Sequence, residues 1–174
     1  MIERSRELAE RIFLVFPPVL PPEELLHPDL LEGALSLDEE YCIERLLTVA
    51  WTDIPPDTFL KQSYMFCSFM LTPKRFIYFL PAVLAFLVGR TTAEDEADDG
   101  WCLLALKIMC CPPSKKLFML LNRDQKELIG DVLLLISDWC RLNEEDIEDW
   151  ADELLWYNWW WLEAIDKECP PDLR

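Results

Sequence analysis

Residues 71–90, LTPKRFIYFLPAVLAFLVGR, constrain what this chain folds into more than any other stretch. Thr72 before Pro73 is a helix start: a hydroxyl to accept an orphan backbone N–H, then a residue that loses nothing by lacking an N–H in the first turn. From residue 76 to residue 88 there is no charge for thirteen positions. A helix that is apolar on every side has no solvent face, so the other elements must pack around it. Pro81 deletes a mid-helix donor and predicts a kink, and Gly89 is placed as the C-cap. The run falls short of the ~20 apolar residues that cross a bilayer.

The flanking segments show helical spacing throughout. Residues 2–16 form an amphipathic helix with Ile2, Leu8, Ile12, Phe13, Val15 and Phe16 apolar. The PPVLPP stretch at 17–22 stops it in an extended strap, because the residue before a proline is pushed out of the α region. Ser36 and Glu39 make a capping box for a helix that carries Tyr41, Ile43, Leu46, Leu47, Ala50 and Trp51 toward the core. Further helices are expected over 56–70, 101–111, 123–142 and 144–168, with a short helix or turn over 114–121. In the helix over 123–142, residues such as Leu128, Ile129, Val132, Leu133, Ile136 and Trp139 are spaced for burial. No strand-like alternation appears. The pattern predicts an all-α chain: a single compact helical domain spanning residues 1–174, with about seven or eight helices around a buried central one.

Charge narrows the function. Thirty-three Asp and Glu against sixteen Lys and Arg give −17, far outside the magnitude of about 2–8 common for a small soluble domain. Nucleic acid and anionic membrane surfaces are disfavoured as partners, since nothing supplies a cationic footprint for phosphate. A cationic protein is favoured. Seven cysteines, an odd number with no C-x-x-C pair, mostly lie in apolar runs and predict free thiols in a reducing compartment. The first thirteen residues alternate charge and lack the apolar region of a signal peptide, so the expected location is the cytoplasm.

Catalytic patterns fare poorly. His27 is the only histidine, which leaves Glu24-x-x-His27 without the second half that a di-iron carboxylate site requires. It also removes Ser-His-Asp and Cys-His chemistry unless His27 is itself the base. Cys110 and Cys111 have only Lys107 a turn away to lower a thiol pKa, and buried structural thiols are expected there. No cofactor, no metal and no enzymatic activity are predicted.

Two peripheral features remain. One is acidic: Glu94, Asp95, Glu96, Asp98 and Asp99 form a run without a base, and Glu145, Glu148, Asp149 and Asp152 fall on one face of a helix. The other is aromatic: five rings in the six positions from 156 to 161 exceed what one helix face can bury. Trp159 and Trp160 are the residue type that dominates binding hot spots. Read blandly, the carboxylates are a solvated helix face and the tryptophans close the end of the bundle.

Several residues combine into a resemblance. Phe16-Pro17-Pro18, Asp38-Glu39, Trp51, then Leu71-Thr72-Pro73 leading into Phe76-x-Tyr78-x-Leu80-Pro81-Ala82, and Leu121 with Gln125 before a long apolar helix, resemble a family of small bacterial proteins classed as a domain of unknown function. The likeness covers roughly residues 13–140, and its most specific piece is the Thr-Pro…Phe-x-Tyr-x-Leu-Pro-Ala run. It implies a bacterial, cytoplasmic, helical protein and carries no catalytic residues across. The Trp-rich tail and the density of acidic segments depart from it.

The expectation that follows is an acidic protein-binding module that neutralises a cationic protein partner, such as a toxin or effector domain; its sharpest form is a bacterial immunity protein. The eleven acidic and tryptophan residues above would form the partner face. A DNA-mimicking or anti-defence protein is the alternative, and an enzyme working through carboxylates alone comes third.

Overall fold

A computed structural model describes residues 1–19, 25, 37–55, 58–59, 71–92 and 120–143. Among these the secondary structure is helical with no strand. It comprises α1 (Ile2–Val15), α2 (Leu37–Leu46), a 3-10 turn (Trp51–Asp53), α3 (Pro73–Arg90) and α4 (Arg123–Asn143). The all-α expectation holds for the described residues. The fuller set of seven or eight helices includes segments outside the described residues.

The apolar run occupies the position its composition demands. α3 packs against α1, α4 and the 3-10 turn. Its residues Phe79, Leu80, Val83, Leu84 and Leu87 are each no more than 1% exposed. Thr72 caps the start, its hydroxyl accepting from the Arg75 backbone N–H at 3.4 Å. The helix is continuous through Pro81. Proline offers no N–H to the Ile77 carbonyl four residues earlier, so burial and packing must hold this turn together.

The far end corrects the expectation for Gly89. That glycine lies inside the helix and does not adopt a positive φ. Two threonine hydroxyls end the helix instead: Thr91 Oγ1 donates to the Val88 carbonyl at 2.7 Å and Thr92 Oγ1 to the Gly89 carbonyl at 2.9 Å. Orphan C-terminal carbonyls need donors, and side-chain hydroxyls satisfy them without a left-handed residue.

α1 and α4 run antiparallel, and their charges state the register. Arg4 pairs with Asp138 at 2.6 Å and Arg11 with Asp131 at 2.5 Å. The two arginines and the two aspartates are each seven residues apart, so both pairs share one alignment of two facing helices. All four side chains are about 36–42% exposed, which limits each pair to about 0–1 kcal/mol. Their contribution is chiefly to orientation, and the stability comes from Leu8 and Ile12 of α1 packed in the common apolar cluster with Leu128, Val132 and Leu135 of α4.

One polar contact is sealed in this packing. Ser5 Oγ lies 2.8 Å from Thr91 Oγ1 and 3.2 Å from the Met1 carbonyl, while Thr91 Oγ1 also reaches the Val88 carbonyl. Two hydroxyl protons serve three contacts, so at any moment one contact lacks its proton. The arrangement ties the start of α1 to the end of α3.

At α4 the start is a reciprocal box. The Asn122 side chain accepts from the Gln125 N–H and the Gln125 side chain accepts from the Asn122 N–H, both at 2.9 Å. The α4 positions expected to be buried are so, with Trp139 the most exposed of them at 9%. Tyr41, expected toward the core, is 67% exposed, and two of the apolar positions of α1, Ile2 and Phe13, are 75% and 48% exposed. α2 ends at Leu46, and Trp51 reaches the core from the separate 3-10 turn. Among the described residues the cysteines are Cys42, half-buried, and Cys140, buried.

Candidate functional site

All eleven residues expected at a partner face lie outside the described residues: Glu94, Asp95, Glu96, Asp98, Asp99, Glu145, Glu148, Asp149, Asp152, Trp159 and Trp160. His27, Cys110 and Cys111 do as well. Among the described residues there is no group of three or more His, Cys, Asp or Glu able to hold a metal.

What the described residues do bring together is a pair of apolar clefts with Trp51 common to both. Trp51 is 3% exposed, and its indole N–H donates to the Pro17 carbonyl at 3.4 Å. The 3-10 turn sets the ring against α3, and the Phe13 ring lies 5.1 Å from it with a 41° tilt. The exposed Phe13 thus still contributes a face of its ring to Trp51, an offset aromatic contact worth about 0.5–1.5 kcal/mol beyond area.

The first cleft, about 370 Å³, lies between the end of α1, the first half of α3 and the start of α4. Ile77, Tyr78 and Pro81 line it on α3, and Lys74 and Gln125 are the polar side chains that border it. Val19 and Leu120 also line it and are 56% and 51% exposed. Its apolar wall is therefore partly open to water.

Tyr78 is the one strongly perturbed titratable group in this region. Its hydroxyl donates to the Val49 carbonyl at 2.5 Å. Burial, and then the negative charge of Asp53, push its pKa from 10 up to about 12. The phenol is a fixed donor at physiological pH. Because the folded pKa is the higher one, the associated stability is fully present below pH 10 and lost as pH rises from about 10 to about 12. Tyr78→Phe is expected to cost about 0.5–1.5 kcal/mol at pH 7 and to flatten the fall in stability above pH 10, as measured by urea unfolding across pH 7–12. An alkaline fall of unchanged steepness in the variant would contradict this.

Sequence reasoning missed the second buried polar group. Arg75 is 2% exposed, and its Nε donates to the Leu25 carbonyl at 2.9 Å. A Lys-Arg pair in a first helical turn resembles a solvated end, and only the tertiary position of residue 25 reveals the other role. Lys126 is also buried, at 8% exposure, and burial lowers its pKa.

The second cleft, about 480 Å³, lies along the last turns of α3. Phe13, Trp51, Phe59 and Phe86 give it aromatic walls, and among the described residues Arg90 is the charged one lining it. Phe59 and Phe86 are themselves paired, with centroids 5.6 Å apart.

No described helix is long and apolar enough to cross a membrane. Comparison with known protein families, with curated proteins and with solved structures returns no match for this chain.

Proposed function

We propose that this chain is an acidic protein-binding module whose partner is a cationic protein, and that in its sharpest form it is a bacterial immunity protein inhibiting an antibacterial toxin. The observation that carries the reading is how the charge is distributed. The described residues hold twelve acidic and ten basic side chains, a net of −2 against −17 for the whole chain. α1 and α4 are close to electrically balanced, and Arg4 and Arg11 of α1 pair with Asp138 and Asp131 of α4. Nearly all of the excess belongs to the remaining segments, which include Glu94, Asp95, Glu96, Asp98, Asp99, Glu145, Glu148, Asp149 and Asp152.

A chain whose excess carboxylates are gathered in a few segments suits a protein that meets an oppositely charged surface. Carboxylates raise the association rate by steering and set register, while buried aromatics supply most of the retained affinity. Trp159 and Trp160 are the proposed anchors of that kind. Toxins that cut nucleic acid need basic clefts to hold phosphate, which makes them natural targets of such a surface.

The test is co-expression with a basic toxin encoded beside this chain, together with size-exclusion chromatography of the mixture. Restored growth and a stoichiometric complex at micromolar concentration are expected. Unchanged toxicity and two separate elution peaks would overturn the pairing.

A further inference from the structure

The second cleft is bordered by a donor without an acceptor. The Nε–H of Arg90 is buried and has no hydrogen-bond partner. Three ordinary uses for a last-turn arginine are closed by its surroundings. It is not needed as a helix cap, because the hydroxyls of Thr91 and Thr92 already serve the Val88 and Gly89 carbonyls. It is not answered by a wall of the cleft, because the described lining includes no Asp or Glu. It is not part of the α1–α4 ion pairs, which use Arg4 and Arg11.

A buried donor without an acceptor is a standing cost to the fold, and such a group calls for an explanation. Here the explanation lies in the cleft it lines. A volume of about 480 Å³ with aromatic walls is within the ~300–1,000 Å³ common for small-molecule sites, which pair an apolar lining with a few fixed polar groups. Gly89 lines the cleft from the exposed side of the last turn of α3, where a Cβ meets nothing within 4 Å.

We infer that this cleft is a binding site for an aryl carboxylate, a flat apolar ring system carrying one anionic group. The ring packs among Phe13, Trp51, Phe59 and Phe86, and the carboxylate accepts from the Arg90 guanidinium. A planar fork of N–H donors matches a carboxylate in charge and shape, and the pair is stronger where water is scarce. The inference does not rest on the acidic segments proposed to meet a protein partner.

The experiment uses the full chain and two probes that differ only in charge, 2-naphthoate and 2-naphthamide, titrated by calorimetry. The expected result is saturable one-to-one binding of 2-naphthoate with Kd below about 1 mM, and at least tenfold weaker binding of 2-naphthamide. Arg90→Met keeps the apolar stem and removes the charge, and it should bring the two probes to equal affinity. Gly89→Leu replaces a helical glycine with a strong helix former that fills the open space. It should keep or raise the melting temperature and bind neither probe. Failure of 2-naphthoate to bind the wild type, equal binding of both probes by the wild type, or discrimination that survives Arg90→Met would each overturn the inference.

Discussion

Trp51→Ala is expected to cost about 3–5 kcal/mol and to lower the melting temperature by about 6–20 °C for a chain of this size. The indole is 3% exposed and touches more than one part of the fold. It is bonded through its N–H to the Pro17 carbonyl, stacked at a tilt on Phe13, and present in the walls of both clefts. Alanine removes the ring without anything positioned to collapse into the space, since apolar clefts already flank it. The Pro17 carbonyl loses its indole donor in the same step. Trp51→Phe separates the two contributions: it keeps most of the volume, loses the N–H, and should recover more than half of the lost stability. Guanidinium unfolding of the three proteins checks this, and a loss below about 1 kcal/mol for the alanine variant, a surface-like value, would show that Trp51 is not a core residue.

The second large effect belongs to the middle of α3. Leu84→Ala should cost about 2–5 kcal/mol, with the upper half expected because the side chain is sealed on all sides. Leu84 is 0% exposed, and its neighbours Val83 and Leu87 are similarly enclosed. Leu84→Met conserves volume and should cost less than about 1.5 kcal/mol. The informative contrast is with Ile77→Ala on the same helix. Ile77 is only partly buried and lines the first cleft, where water already reaches, so its truncation creates little new enclosed space. Equal losses at residues 77 and 84 would mean that α3 is not buried asymmetrically along these clefts.

How far these features were legible in the residues differs by element. The core role of α3 follows from thirteen uncharged positions, since no solvent-facing helix tolerates that composition. The start at Thr72-Pro73 is equally local, as is the length of α4, where seven apolar positions keep the helical period. Gly89 shows the limit of a local rule. Glycine after an apolar run usually marks a C-cap, but the following Thr91-Thr92 pair supplied donors for the last carbonyls and moved the C-cap two residues further, to Thr91. Tyr41 and Phe13 fail for another reason: hydrophobicity says which side chains gain from burial, but not whether a neighbouring element arrives to bury them.

Tertiary pairing was illegible in principle. Arg4 with Arg11, and Asp131 with Asp138, are visible as two heptad-spaced pairs. Which helix faces which depends on the assembled bundle, and residues more than a hundred positions apart carry no local mark of it. Arg75 and Arg90 are the same case. Both resemble ordinary basic residues at the two ends of a helix. The burial of Arg75, and of the Nε of Arg90, comes from what packs around those ends. The proposed partner face was read from charge and from tryptophan density alone, which report composition and leave geometry open. The aromatic cleft was hidden because its residues, Phe13, Trp51, Phe59, Phe86 and Arg90, come from four separate places in the chain.

The central claim is that excess negative charge is there to meet a cationic protein. Its most direct test is the association rate with a basic toxin encoded beside the chain, measured by stopped flow at low and high salt. The comparison is between the wild type and a variant carrying Glu145→Gln, Glu148→Gln, Asp149→Asn and Asp152→Asn. Steered association should be faster than the ~10⁵–10⁷ M⁻¹s⁻¹ of ordinary docking and should fall steeply with salt. The four neutral substitutions should slow it by about tenfold or more at low salt, with little change in the dissociation rate. Rates that are insensitive both to salt and to the four substitutions would contradict the claim.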